Sequence, residues 1–196
     1  MALKIFKCIG GEIVLPNNES ALIDAQDGGN LVINPPRPVW ERSELTPTEL
    51  TNWAFLVAAG GRAMLETLPQ LDGGCINYWE AGNWALNENS EPMGVFKTAK
   101  EFRNVHLHLL GRNPKTTNPD VKWGESPRFP SFSERLAWAN KNKRLSAGEC
   151  VKIVKRVENL LTEVYGMQIS QIEKWSICQS CDYPTVETIC PECNQD

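Results

Sequence analysis

Apolar and charged residues alternate through Leu3-Lys4-Ile5-Phe6-Lys7-Cys8, the period-two pattern of a half-buried strand, and this stretch reads as an edge strand. Gly10-Gly11 and Pro16-Asn17-Asn18 break the next segment into short strands and turns. Ala21-Leu22-Ile23-Asp24 and Asn30-Leu31-Val32-Ile33-Asn34 are expected as two strands joined by the turn Gln26-Asp27-Gly28-Gly29, and Pro35-Pro36-Arg37-Pro38 stops the sheet. The period then changes to a helical one. Thr46-Pro47-Thr48-Glu49 combines an N-cap threonine, a proline at the first helical position and a glutamate three residues after the cap. Leu50, Trp53, Ala54, Val57, Gly61, Met64, Leu65 and Leu68 follow at three- and four-residue spacing. Gly60 and Gly61 cost this helix about 1 kcal/mol each relative to alanine, so close backbone packing is expected there.

From Cys75 to Arg112 the chain is strand-like and rich in turns, ending in Asn104-Val105-His106-Leu107-His108-Leu109-Leu110. A Pro- and Trp-bearing connection runs over 112–132, with a short helix expected at 133–140. Ser146-Ala147-Gly148-Glu149 is a second capping box. It opens a helix with the predicted face Val151, Val154, Val157, Leu161 and Val164, stopped near Gly166. These elements predict an α+β domain over residues 1–167, an antiparallel sheet of about five strands covered by the 46–68 helix, with the 146–165 helix packed elsewhere on it. Residues 168–196 form a separate C-terminal hairpin. No internal repeat or low-complexity run is present.

A net charge of −4 provides no global basic field for a nucleic-acid backbone, so small molecules or proteins are the expected partners. No apolar stretch approaches the roughly 20 residues of a membrane helix, and the N-terminus lacks the apolar core of a signal peptide. The expected location is the cytoplasm, where the seven cysteines would be free, catalytic or metal-bound and seldom paired.

The sequence has two histidines, and they stand two apart. On a strand His106 and His108 share one face while Val105, Leu107 and Leu109 point into the core. Two imidazoles about 7 Å apart along a strand can contact one ligand; solvent-facing polar positions on a half-buried sheet would give the same pattern.

The flanking residues change the weighing. Asn104-Val105-His106-Leu107-His108-Leu109-Leu110-Gly111-Arg112 resembles the signature of the histidine triad superfamily, in which three histidines alternate with apolar residues before a short Gly/Arg or Pro/Arg exit. Upstream, Ala21-Leu22-Ile23-Asp24, Leu31-Val32-Ile33-Asn34-Pro35 and Glu44-Leu45-Thr46-Pro47-Thr48-Glu49-Leu50 resemble that family's strand–strand–helix opening, and Ile5-Phe6 and Gly11-Glu12-Ile13 its N-terminus. The likeness covers roughly residues 5–112 in order. It implies that His106 is a nucleophile attacking the α-phosphorus of a nucleotide, with water, phosphate or another acceptor cleaving the phosphoramidate. His108 would donate to phosphate oxygens or assist the leaving group, and Asp24 would accept hydrogen bonds from ribose hydroxyls. A strand-end turn former is the alternative reading of Asp24. The family also implies a homodimer formed through helix and sheet edge.

The chain departs from the family at several positions. Asn104 replaces the first histidine; in the family that position orients the nucleophile's ring largely through its main-chain carbonyl, which asparagine also has. Lys100-Glu101-Phe102-Arg103 replaces the usual Gln and Ser/Thr, so phosphate contacts pass to Lys100 or Arg103 or are lost. Arg37 stands where many members have a histidine; it is either a bidentate phosphate fork or a surface residue beside prolines. Asn77 corresponds to the asparagine of the strand before the triad. Residues 74–94 are longer than the family's equivalent, and Trp79 and Trp84 within them either stack on a base or pack.

Cys178-Gln179-Ser180-Cys181 and Cys190-Pro191-Glu192-Cys193 form two CxxC knuckles, the arrangement that completes a tetrahedron around Zn²⁺. With Cys178, Cys181, Cys190 and Cys193 all ligands, no coordination position stays open, so the zinc is expected to be structural. Redox chemistry is the rival. The hairpin carries Asp182, Glu187, Glu192 and Asp196 and no Lys or Arg after Lys174, which argues against nucleic acid and for a clip or a protein-docking element. Cys8, Cys75 and Cys150 are expected to be buried.

Three function classes follow. The first is an enzyme, a phosphoanhydride hydrolase or nucleotidyltransferase acting on a nucleotide or dinucleoside polyphosphate. The second is a non-catalytic nucleotide-binding or adaptor protein keeping the pocket. The third is a cupin-like metalloprotein using His106 and His108, which lacks a third histidine.

Overall fold

The computed structural model describes residues 2–80, 104–128, 134, 137, 138, 140–187, 190, 191 and 193. The alternating N-terminal stretch forms β1 (Leu3–Cys8), which turns at Ile9-Gly10 and pairs antiparallel with β2 (Gly11–Leu15). With β3 (Asn30–Asn34), β4 (Cys75–Trp79) and β5 (Leu107–Arg112) they build a five-stranded antiparallel sheet of order β1-β2-β3-β5-β4. The fold is α+β, as expected.

Residues 21–24, expected as a strand, are not in the sheet, and β2 occupies the place beside β3. Side chains satisfy this segment's backbone instead. Asn30 Oδ1 accepts from the amides of Leu22 at 3.0 Å and Ile23 at 3.4 Å. The carbonyls of Leu22 and Ala21 accept from Trp138 Nε1 and Asn142 Nδ2 at 3.0 and 2.8 Å. Asp24 then caps a 3-10 turn, Ala25–Asp27, closed by left-handed Gly28.

The helix α1 (Pro47–Thr67) starts where its capping box places it: Glu49 N–H donates to Thr46 Oγ1 at 3.3 Å and Thr46 N–H to Glu49 Oε2 at 2.8 Å. Its paired glycines let it lie on the sheet. A Cβ on Gly60 would meet Leu109 Cδ1 at 3.0 Å, and one on Gly61 would meet the Tyr78 hydroxyl. Trp53, Leu56, Ala59, Ala63 and Met64 are buried, whereas Leu50 and Leu65 of the predicted face are exposed.

The helix α2 (Ala147–Glu163) is capped by Ser146 and Glu149 as expected. Its buried face is Cys150, Ile153, Val154, Val157, Leu160 and Leu161, which shifts the predicted stripe by one residue at its start and leaves Val164 exposed. This helix packs on α1 and β1, and Tyr165 just beyond it stacks on Phe55 at 5.0 Å. Of the helix expected at 133–140, residues 137 and 138 are helical, and 133, 135, 136 and 139 lie outside the described residues.

Beyond α2 the chain returns to β1. Ile9 N–H donates to Gln171 O at 2.9 Å, Glu173 N–H to Lys7 O at 3.0 Å and Val186 N–H to Lys4 O at 3.4 Å. The hairpin β6 (Ser176–Ile177) and β7 (Pro184–Thr185) thus sits beside the outer side of β1. Thr185 is buried, and Cys190 belongs to the core that the sheet and both helices enclose. Among the described residues, no helix is long and apolar enough to cross a membrane.

Candidate functional site

Strand β5 lies between β3 and β4, with Val32 and Trp79 directly opposite His108. Val105, Leu107 and Leu109 are buried toward the core, which leaves His106 and His108 half-buried on the other face. The two imidazoles meet edge-on, centroids 5.0 Å apart at 67°. Trp79 flanks His108 at 5.3 Å and packs on the cluster of Leu22, Ile23, Leu110 and Val121. Trp84 lies outside the described residues.

Immediately before the ladder, Val105 N–H donates to Val39 O at 2.9 Å, tying the motif to the strap that follows β3. The neighbouring carbonyl, that of Asn104, lies 2.8 Å from His106 Nδ1. A carbonyl only accepts, so Nδ1 carries the proton, and in the neutral ring Nε2 keeps its lone pair. Asn104 makes this contact through its main chain, and its side chain is exposed.

The other predicted site residues are dispersed. Asp24 accepts from Gln26 N–H at 2.9 Å through Oδ1 and from Lys143 N–H at 2.7 Å through Oδ2, so its carboxylate caps a turn and joins two segments. It lines a cavity of about 400 Å³ with Asp27, Asn118, Trp138 and Lys141. Arg37 turns its fork to Glu49, Nε donating to Oε1 at 2.9 Å, while Nη2 also reaches Glu44 O at 2.6 Å. The same pair holds the Glu49 carboxyl down at about 2. Arg37 and Asn104 share a cavity of about 440 Å³ with Lys4, Glu12 and Asn34. Asn77 pairs with Leu110 and shares the histidine-bearing face. Lys100 and Arg103 lie outside the described residues.

In the sequence Arg112 stands only as the motif's exit. It is 5% exposed, and its Nη2 donates to the carbonyls of Val121, Lys122 and Glu125. Counting in twos from His108 would have placed it on the histidine-bearing face. The preceding Gly111 has a packing reason: a Cβ there would lie 2.4 Å from Gly28 O.

The four sulphurs of Cys178, Cys181, Cys190 and Cys193 lie within 4.8 Å of one another, with two pairs at 3.5 Å. Tetrahedral Zn²⁺ with bonds of about 2.3 Å sets sulphurs about 3.8 Å apart, so the quartet fits that ion. Amides of Ser180 and Cys181 hold the Cys178 thiol down at about 6, as a ligand knuckle requires, while its neighbours Cys178 and Cys181 push Cys193 up to about 12. Burial pushes the Cys8 thiol up to about 11 and raises Cys150 as well, which makes both inert. Cys75, expected to be buried, is exposed at the start of β4. Among the described residues, the cysteine quartet is the group of three or more candidate ligands close enough to hold an ion, and neither histidine is in it.

No family model matches the sequence, and no curated protein does. Three solved structures are similar in fold. A hypothetical histidine triad nucleotide-binding protein from Sulfolobus tokodaii is 15% identical, with a TM-score of 0.42 over 84% of this chain and 89% of that one. A histidine triad protein from Sinorhizobium meliloti is 19% identical, with a TM-score of 0.39 over 72% of this chain and 90% of that one. A zinc-bound histidine triad family protein from Mycobacterium smegmatis is 13% identical, with a TM-score of 0.39 over 72% and 83%.

Proposed function

We propose that the chain is a nucleotide-binding phosphoanhydride hydrolase or nucleotidyltransferase with His106 as its nucleophile. The observation that carries this reading is the contact between His106 Nδ1 and Asn104 O at 2.8 Å, which directs the Nε2 lone pair away from the backbone. Nε2 attacks the α-phosphorus and forms a P–N bond as the bond to the bridging oxygen breaks. The departing phosphate or nucleotide takes its proton from His108 or water. Water or another acceptor then attacks phosphorus, the P–N bond breaks with its electron pair returning to Nε2, and the acceptor's proton passes to His108 or solvent, which leaves His106 neutral again. Asp24 retains acceptor capacity for ribose hydroxyls beside its two amide bonds, and Asn77 offers its amide on the same face. Arg37 reaches phosphate only at the expense of its pair with Glu49. The cysteine quartet binds one structural Zn²⁺.

The test is release of nucleoside monophosphate from dinucleoside polyphosphates by wild type and His106→Ala. The variant is expected to lose turnover while keeping nucleotide affinity within about tenfold, since a covalent nucleophile has no substitute. More than a few per cent of residual activity refutes the assignment. Binding without turnover by wild type identifies a nucleotide-binding adaptor instead.

A further inference from the structure

Arg112 follows His108 and Leu110 on the same face of β5, and four residues at about 3.3 Å each separate its Cα from that of His108 by about 13 Å. Its guanidinium is buried, and among the described residues it is engaged through Nη2, by three main-chain carbonyls at 2.8, 2.9 and 3.4 Å. Nε is buried and has no hydrogen-bond partner. Among the described residues, no carboxylate forms an ion pair with it. The acidic side chain in the surrounding wall, Glu125, is paired with Lys122 at 2.5 Å.

A buried guanidinium held by carbonyl dipoles alone lacks the facing anion that usually compensates such a charge. Arg112 lines a cavity of about 470 Å³ together with Asn77, Trp123, Gly124, Glu125 and Ser126. The Asn77 amide and the Ser126 hydroxyl supply neutral donors. Trp123 is 42% exposed, which leaves its indole available to a planar group. Arg112 itself holds the loop that forms this wall, through Val121, Lys122 and Glu125, so charge and cavity are built by one residue.

We propose that this cavity is an oxyanion subsite, taking the phosphate or carboxylate group of a small ligand opposite Arg112, with the Trp123 indole as its flat wall. The proposal goes beyond the chemistry assigned to His106 and does not depend on it.

Amide and indole resonances of the full-length protein, titrated separately with orthophosphate and with acetate in chloride buffer, test the subsite. Resonances of Trp123, Gly124 and Ser126 are expected to move together and saturate. Response to phosphate, to acetate or to both supports the subsite and identifies the oxyanion class. Absence of a saturable shift at all three with either probe at tens of millimolar overturns it. Arg112→Lys keeps the charge and loses the fork, and should weaken the responding anion by about tenfold, the loss of one charged hydrogen bond. Unchanged affinity in the folded variant also overturns it. If the lysine variant does not fold, the wild-type map alone decides.

Discussion

Replacing Gly111 with alanine tests the packing that sets the far end of the histidine strand. A Cβ at this position would stand 2.4 Å from Gly28 O and 2.6 Å from Gly28 C, both main-chain atoms, where a side chain needs at least 3.0 Å. Neither partner can rotate away, so the strand and the Gly28 turn must separate. Gly111 N–H also donates to Gly29 O at 2.9 Å, a bond that lengthens with any such movement. Overpacking of this kind costs about 1–3 kcal/mol, and the weakened hydrogen bond adds about 1 kcal/mol. Removing a glycine from a strand returns about 0.5–1 kcal/mol, so the net loss is about 1–3.5 kcal/mol. For a chain of this size that is a fall in Tm of about 2–14 °C. Urea unfolding followed by tryptophan fluorescence measures it, with Gly148→Ala as control, since a Cβ there has nothing within 4 Å. A loss below about 0.5 kcal/mol in Gly111→Ala would falsify the close approach, because that is the scatter of ordinary surface substitutions.

Three further outcomes follow from the geometry. Asn104→Ala retains the carbonyl that holds His106 and removes only an exposed side chain, so kcat/KM should stay within about threefold; a loss beyond tenfold assigns the side chain a role of about 1–3 kcal/mol. Metal analysis of protein made with adequate zinc should find one zinc ion per chain, and chelation or Cys178→Ser should lower Tm; zero metal refutes the site. The pair Arg37–Glu49 should show in acid. Its carboxyl falls from the ordinary 4.5 to about 2 on folding, so the pair's contribution is complete above pH 4.5 and fades as pH drops toward 2. Glu49→Gln should therefore flatten the stability profile in that window, and an unchanged acid limb counts against the pair.

Elements set by local hydrogen bonding were legible in the sequence. Both capping boxes close within four residues, so Thr46 with Glu49 and Ser146 with Glu149 announced their helices without reference to the rest of the fold. The alternation around His106 and His108 placed both rings on one face for the same reason. Residues 21–24 were misread because their strand-like composition is overruled from a distance: Asn30, Trp138 and Asn142 supply hydrogen bonds that a ladder would otherwise have made. The stripe of α2 was displaced because the helix docks on α1 and β1 with Cys150 and Leu160 in its buried face, a choice made by docking and not by the helix itself. Arg37 likewise found a partner in Glu49, twelve residues on, that no motif marks.

The pairing of β1 with the tail has a consequence for the order in which the molecule can be completed during synthesis. Lys4, Lys7 and Ile9 are synthesised long before Val186, Glu173 and Gln171, their partners on the outer side. Until then the growing chain carries an open strand edge able to template pairing with another molecule. Late closure of so distant a contact slows folding and makes the nascent chain most vulnerable to aggregation before the cysteine hairpin arrives.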